Sequence, residues 1–361
     1  MGWSRSRPPA KYNLVASDLQ PVTAHEWPGL AEPGGPDDTD DTGIGDLDAA
    51  LTAAIGAHCH MPPDGVVTAI GASGASFLAL VALLRPGDAV LAEDPGHAPL
   101  SMAARALGAQ VIALPRRPGL GYAVEAEVIA AAITPRTRLV ALSRPHNPTG
   151  AALDTPTLEA IADVAERARI HVLVDEVYLE TLGGTPLPRA AAISDRFIST
   201  SSLTKAYGLL NLRCGWALAA PGLAARMRAA GAVVAPAPVA SQRLALRAFA
   251  DLPLLADRAR RIVAENRVRL QRALADRDDL AWTPPVGGTV AFPQLLRVPD
   301  VDAFVDRLLI EGHTAVVPGR FFGRPQHIRV AFGTGPEELT HGLAALTAAL
   351  DAAAHLETTR R

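Results

Sequence analysis

The chain has 361 residues, 49% of them apolar and 20% charged, with a net charge of −3 at pH 7. That is enough for two packed lobes with a real core, and the charge balance excludes a general nucleic-acid or membrane-surface binder. Two cysteines, Cys59 and Cys214, are too few for a disulfide framework and point to a reducing, cytoplasmic setting. Residues 1–9 lack the apolar core of a signal peptide, and Gly, Pro or charge interrupts every apolar run short of a membrane span.

Residues 1–45 read as an arm without regular structure, rich in Pro and Gly and carrying Asp37-Asp38-Thr39-Asp40-Asp41. Its acids form either a solvated loop or an active-site flap that meets a basic substrate, with Glu26 as a further acidic partner. From Asp46 the spacing of Leu47, Ala50, Leu51, Ala54 and Ile55 predicts a helix. His58-Cys59-His60 alternate, so they cannot converge on one helical face, and the triplet reads as structural, with no metal expected.

A regular alternation follows. Apolar runs at 66–70, 89–93, 110–114, 138–143, 170–175, 197–200 and 215–219 predict buried strands, and 73–84, 98–107, 124–133 and 156–168 predict helices between them. The pattern is that of an α/β fold with a sheet wrapped on both faces, in which ligands bind beyond the carboxyl ends of the strands. Residues 221–276 read as helical, with Arg258, Arg260, Arg261, Arg267, Arg269 and Arg272 on a solvated face. Beyond Trp282 a Pro-Pro-x-Gly-Gly turn, short strands and a helix over 300–311 predict a smaller α+β unit. The division is an arm over 1–45, a large domain over 46–276 and a small domain over 277–361, the small one built from both termini.

Chemistry concentrates after the predicted strand ends. Ser202-Leu203-Thr204-Lys205 places an amine among hydroxyls, with Arg213 eight residues on. Such an amine can condense with an aldehyde while Ser202, Thr204 and Arg213 hold a phosphate, and burial beside cations is expected to lower its pKa. Gly71-Ala72-Ser73-Gly74-Ala75 opens a helix with small residues, which let backbone N–H groups approach an anion. Asp175 ends a strongly apolar strand, where a carboxylate needs a cation such as a protonated pyridine; a helix cap is the structural alternative. Asn147, in Asn-Pro-Thr-Gly, and Tyr178 offer donors to a phenolic oxygen, and Arg329 offers a bidentate clamp for a carboxylate.

In this order and spacing, with Pro285-x-Gly287-Gly288 and Val317-Pro318-Gly319 added, the motifs resemble the fold-type-I, pyridoxal-phosphate-dependent aminotransferases of class I/II, over roughly Gly43 to the C-terminus. The resemblance implies a mostly parallel seven-stranded sheet and a homodimer working on amino acid and oxo acid substrates. It implies Lys205 as the Schiff-base lysine and proton shuttle acting through a quinonoid intermediate, and Asp175 on the pyridine nitrogen. Asn147 and Tyr178 fall on the ring oxygen, Ser73, Ser202 and Arg213 on the phosphate with backbone help from Ala72 and Gly74, and Arg329 with Asn147 on the substrate α-carboxylate.

Two positions depart from that family. His97 stands where an aromatic ring stacks on the cofactor, and unlike Phe or Trp it can also carry a proton. Asp38 stands where a tyrosine reaches the partner subunit's phosphate, a contact a carboxylate would oppose. Simple transamination is the first reading; an oxidase, decarboxylase or eliminase/cyclase acting on a basic amino acid in a natural-product pathway is the alternative. A ligand-sensing regulator on the same fold would need a DNA-binding unit that residues 1–45 do not supply.

Overall fold

The computed structural model describes residues 9–31, 44–184, 187–233 and 237–358. The strands run β1 (Tyr12–Asn13), β2 (Val66–Ile70), β3 (Ala89–Asp94), β4 (Gln110–Pro115), β5 (Thr137–Ser143), β6 (His171–Asp175), β7 (Phe197–Ser202) and β8 (Cys214–Leu218). Six short strands follow: β9 (Leu280–Ala281), β10 (Val290–Ala291), β11 (Gln294–Leu295), β12 (Thr314–Ala315), β13 (Val317–Pro318) and β14 (Ile328–Ala331). The helices are α1 (Ile44–Cys59), α2 (Gly71–Leu83), α3 (Ala98–Ala106), α4 (Ala126–Ala132) and α5 (Thr155–Ala168), then α6 (Pro221–Gly231), α7 (Val239–Ala250), α8 (Leu252–Leu274), α9 (Val301–Ile310) and α10 (Pro336–Thr358).

Seven strands form one sheet in the order β2-β8-β7-β6-β5-β3-β4. Strands β7, β6, β5, β3 and β4 run parallel to one another, while β8 is antiparallel to both β2 and β7. The strand pleat explains why the runs are apolar throughout: Leu173 faces a core with Leu78 of α2 and Met227 of α6, whereas Val172 and Val174 face one with Ile129 of α4 and Ile161 of α5. Each fully buried Val or Leu stabilises the fold by roughly 1.5–3 kcal/mol. Local signals agree with the pattern, as at α5, where the Asp154 side chain accepts from Thr157 N at 3.0 Å and Pro156 sits in the first turn. None of the described helices is long and apolar enough to cross a membrane.

A second core joins Leu14 and Leu19 near the N-terminus to α9, α10 and β14. Helix α8 serves two cores: Leu252 and Leu255 pack with Leu51, Ile55 and Trp216, whereas Ile262, Val263, Leu270 and Leu274 pack with the C-terminal residues.

Two expectations fail here. Arg258 is not on a solvated face: it is 6% exposed and donates to Glu26 Oε1 at 2.8 Å and to the carbonyl oxygens of Gln20 and Pro21. Glu26 is correspondingly engaged by Arg258 and is not an acidic partner for a substrate. Both errors share one cause, the passage of the N-terminal segment over α8. His58 faces Glu180 and Arg189 at 3.4 and 3.1 Å beside buried Cys59, and no metal-holding cluster occurs among the described residues. Asp38 and the acidic run 37–41 lie outside the described residues.

Candidate active site

The carboxyl edge of the sheet gathers the expected side chains into one cavity. Ala72 and Ser73 follow β2, His97 follows β3, Asn147 follows β5, Asp175 ends β6 with Tyr178 beyond it, Ser202 ends β7, and Lys205 and Arg213 lie in the connection to β8. Thr204 also lines this cavity. Gly74 does not; it faces a neighbouring cavity against β2. Arg329 reaches in from β14, donating to Asn147 Oδ1 at 3.3 Å and to Val15 O at 2.7 Å.

Two glycines let the anion-binding end assemble. Gly71, at φ +70°, donates its N–H to Arg213 O at 2.9 Å, and a Cβ there would lie 2.8 Å from Arg213 Nη2. A Cβ on Gly215 would lie 2.2 Å from the Gly71 carbonyl carbon. The guanidinium therefore sits against the N-terminus of α2, where backbone N–H groups and helix dipole add to its charge. Among the described residues Arg213 meets no carboxylate.

The titratable groups divide by sign. Desolvation pushes the Asp175 carboxyl up to about 6, opposed by a hydrogen bond from Val177 N at 3.2 Å and by Lys205. Burial, with the fields of Lys205 and Arg329, pulls His97 down to about 4, so its imidazole is neutral at pH 7; Nδ1 lies 3.5 Å from Asn147 Nδ2. Tyr178 donates its hydroxyl to Ser17 O at 2.9 Å. Arg329 is 9% exposed, lies 5.3 Å from the Phe322 ring, and has a buried Nε without a partner.

The expected lowering of the Lys205 pKa does not occur. Burial does act downward, but attraction to Tyr178 and Asp18 outweighs it and leaves the ammonium favoured above its ordinary range. Asp18 Oδ1 lies 2.6 Å from Nζ, and Ser17 Oγ accepts from Nζ at 3.1 Å. Neither residue was read as functional in the sequence. Ser17-Asp18 carries no motif; only its position against a lysine 188 residues away from Ser17 marks it.

The donor set fits a phosphorylated pyridine aldehyde. Asp175 faces the cavity with no cation at ion-pair distance among the described residues, which a ring N–H would supply. Thr204 Oγ1 is buried without a partner beside Ser202, and Arg213 with the α2 N-terminus forms an anion cradle. Lys205 supplies the primary amine an aldehyde requires.

Comparison with known proteins agrees. The sequence model of the family described as aminotransferase class I and II matches residues 38–346. Capreomycidine synthase of Streptomyces vinaceus is 33% identical over 320 residues, 83% of this chain and 78% of that protein. Arginine–pyruvate transaminase AruH of Pseudomonas aeruginosa is 34% identical over 282 residues, 76% of this chain and 72% of its own length. Among solved structures, a PLP-dependent aminotransferase from Streptococcus suis superposes with a TM-score of 0.88 at 25% identity, covering 95% of this chain and 94% of the other.

Proposed function

The chain belongs to the class I and II aminotransferases and is a pyridoxal-phosphate-dependent transferase; from that premise we propose that it transfers the amino group of an α-amino acid, with Lys205 as the working amine. The cofactor, when bound, supplies an aldehyde and a protonated ring that draws electrons from the substrate's α-carbon. Lys205 would bind that aldehyde and, once the substrate's amino group displaces it, would be the amine free to move a proton at the substrate Cα. Asp175 holds the ring nitrogen protonated. Asn147 would hold the ring oxygen, joined by the Tyr178 hydroxyl only on turning from Ser17 O, to which it donates in the free protein, and Ser73, Ser202 and Arg213 would hold the phosphate with the Ala72 backbone. His97 covers the ring as a neutral imidazole. Arg329, beside Asn147, takes the substrate carboxylate by a charge-assisted pair. In this reading residues 46–276 hold the cofactor, and residues 277–361 with the arm bring Arg329 to the substrate.

The observation that carries the reading is the convergence on one cavity of an amine, a carboxylate without a cation, and an arginine at a helix N-terminus. We place the enzyme in the cytoplasm on its cysteine usage and as a homodimer on the family likeness, with exposed Phe77 and Met102 as apolar surface for a second copy. A second reading is favoured by His97, which puts a neutral imidazole where the family carries an aromatic ring, a departure that suits an oxidase, decarboxylase or eliminase/cyclase. A basic substrate fits the name of one relative, an arginine–pyruvate transaminase.

Single-turnover absorbance with a panel of amino acids, with and without oxygen, tests both. Stoichiometric conversion of the cofactor to its amine form supports amino transfer. Oxygen consumption, or recovery of the aldehyde form with a lost carboxylate or leaving group, supports the second reading. No spectral change with any amino acid overturns both.

A further inference from the structure

The backbone over Val15–Gln20 threads between the two lobes and is fastened to each. Leu19 N donates to Lys205 O at 3.0 Å on one side, and Gln20 N to Gly333 O at 2.7 Å on the other. Between them Ser17 O accepts from Tyr178 Oη at 2.9 Å and from Thr289 Oγ1 at 2.7 Å. This fastening presents the Asp18 carboxylate and the Ser17 hydroxyl to a primary ammonium, which here is Lys205 Nζ at 2.6 and 3.1 Å. The carboxylate is 28% exposed in the cleft, so a small molecule can reach it.

Charge then singles it out. The other groups that act electrostatically with Lys205 are Tyr178, Arg329, Asp175 and His97. Under the proposed function Asp175 serves the ring nitrogen, Arg329 the substrate carboxylate and Tyr178 the ring oxygen, while His97 is neutral. Once Lys205 engages the aldehyde, Asp18 loses its ammonium partner, and a half-buried carboxylate without a cation is costly. Asp18 also acts electrostatically on Arg329. A negative group and a positive group thus both act on the position of Lys205 Nζ, as the two ends of a zwitterion require.

We propose that Asp18, assisted by Ser17 Oγ, docks the α-ammonium of the incoming amino acid opposite Arg329, at the position Lys205 Nζ holds in the free protein. The two amines then alternate on one carboxylate: whichever is not joined to the cofactor is the one Asp18 holds. This assignment rests on the function proposed above and adds a requirement that the substrate carry a free primary ammonium beside its carboxylate.

The test compares the cofactor-loaded wild type with Asp18→Asn and Asp18→Glu. Dissociation constants are measured for an amino acid, by absorbance titration, and for the matching carboxylic acid without the amine, by calorimetry. The expected result for Asp18→Asn is a 10- to 100-fold weaker amino acid, a carboxylic acid bound within twofold of wild type, and partial recovery in Asp18→Glu. Carbamylation of Lys205 by cyanate in the cofactor-free protein supplies a reading independent of turnover. Its pH midpoint should fall in Asp18→Asn and return toward the wild-type value in Asp18→Glu. Equal weakening of both ligands, unchanged binding of both, or an unmoved midpoint overturns the proposal. A loss confined to basic amino acids also overturns it, by placing Asp18 at the side chain. A wild type that takes up no pyridoxal phosphate overturns the function itself, a result distinct from any of these.

Discussion

At the carboxyl edge of the sheet, functional side chains hang from strands buried on both faces; along Val15–Gln20 they hang from an irregular segment held by hydrogen bonds from both lobes. Leu173 and Val174 are 0% exposed, so Asp175 inherits its position from the sheet ladder and two cores. Asp18 inherits its position from hydrogen bonds that tie Leu19 to Lys205, Gln20 to Gly333, and Ser17 O to Tyr178 and Thr289, four separate parts of the chain. The edge therefore suits a cofactor that stays, and the segment suits a ligand that comes and goes.

That contrast can be broken at its strong end first. Lys205→Ala should remove covalent attachment of pyridoxal phosphate, seen by mass spectrometry after borohydride reduction, and lower turnover by about 10³-fold or more. Leu14→Ala acts at the other end: Leu14 is 0% exposed in the core with α10, and its loss should cost about 2–5 kcal/mol in denaturant unfolding. If the segment serves the substrate, this variant raises the KM for the amino acid while cofactor retention stays within about twofold.

The smallest effect concerns Asp175 in the cofactor-free protein. Its folded pKa of about 6 lies above the roughly 3.9 of an unfolded aspartate, so between those values the folded state binds more protons. Its contribution to stability is therefore largest below pH 4 and is lost as pH rises through 6. Asp175→Asn should remove that slope and leave the cofactor-free protein more stable at pH 8, on the order of 1–2 kcal/mol by thermal or urea unfolding. The same substitution should weaken carbanion chemistry in the loaded enzyme, because a neutral amide cannot keep the ring nitrogen charged.

The readability of the two regions differs for a physical reason. Runs such as Val172-Leu173-Val174 announce buried strands, and the residues just past them fall at the ligand edge by topology alone. Lys205, Asp175, Asn147 and Arg213 were legible in this way, since each follows or precedes a strand whose ends the pattern fixes. The direction of the Lys205 shift was not, because it is set by Tyr178 together with Asp18, and Asp18 lies in a segment whose strand β1 has two residues. Arg258 was misread for the same reason: an arginine-rich helix face looks solvated until Glu26, 232 residues away, crosses it. Local pattern carries no information about which distant loop covers a surface.

Helix α8 spans 23 residues, a rise of about 34 Å, and changes company midway. A fragment that stopped at residue 276 would strand Ile262, Val263, Leu270 and Leu274 in water, forfeiting roughly 6–12 kcal/mol of burial. The stretch that carries the reactive lysine is thus not a self-sufficient module that could be excised or fused elsewhere. The helix is one rod driven through both cores, so neither core can be taken away without baring part of it.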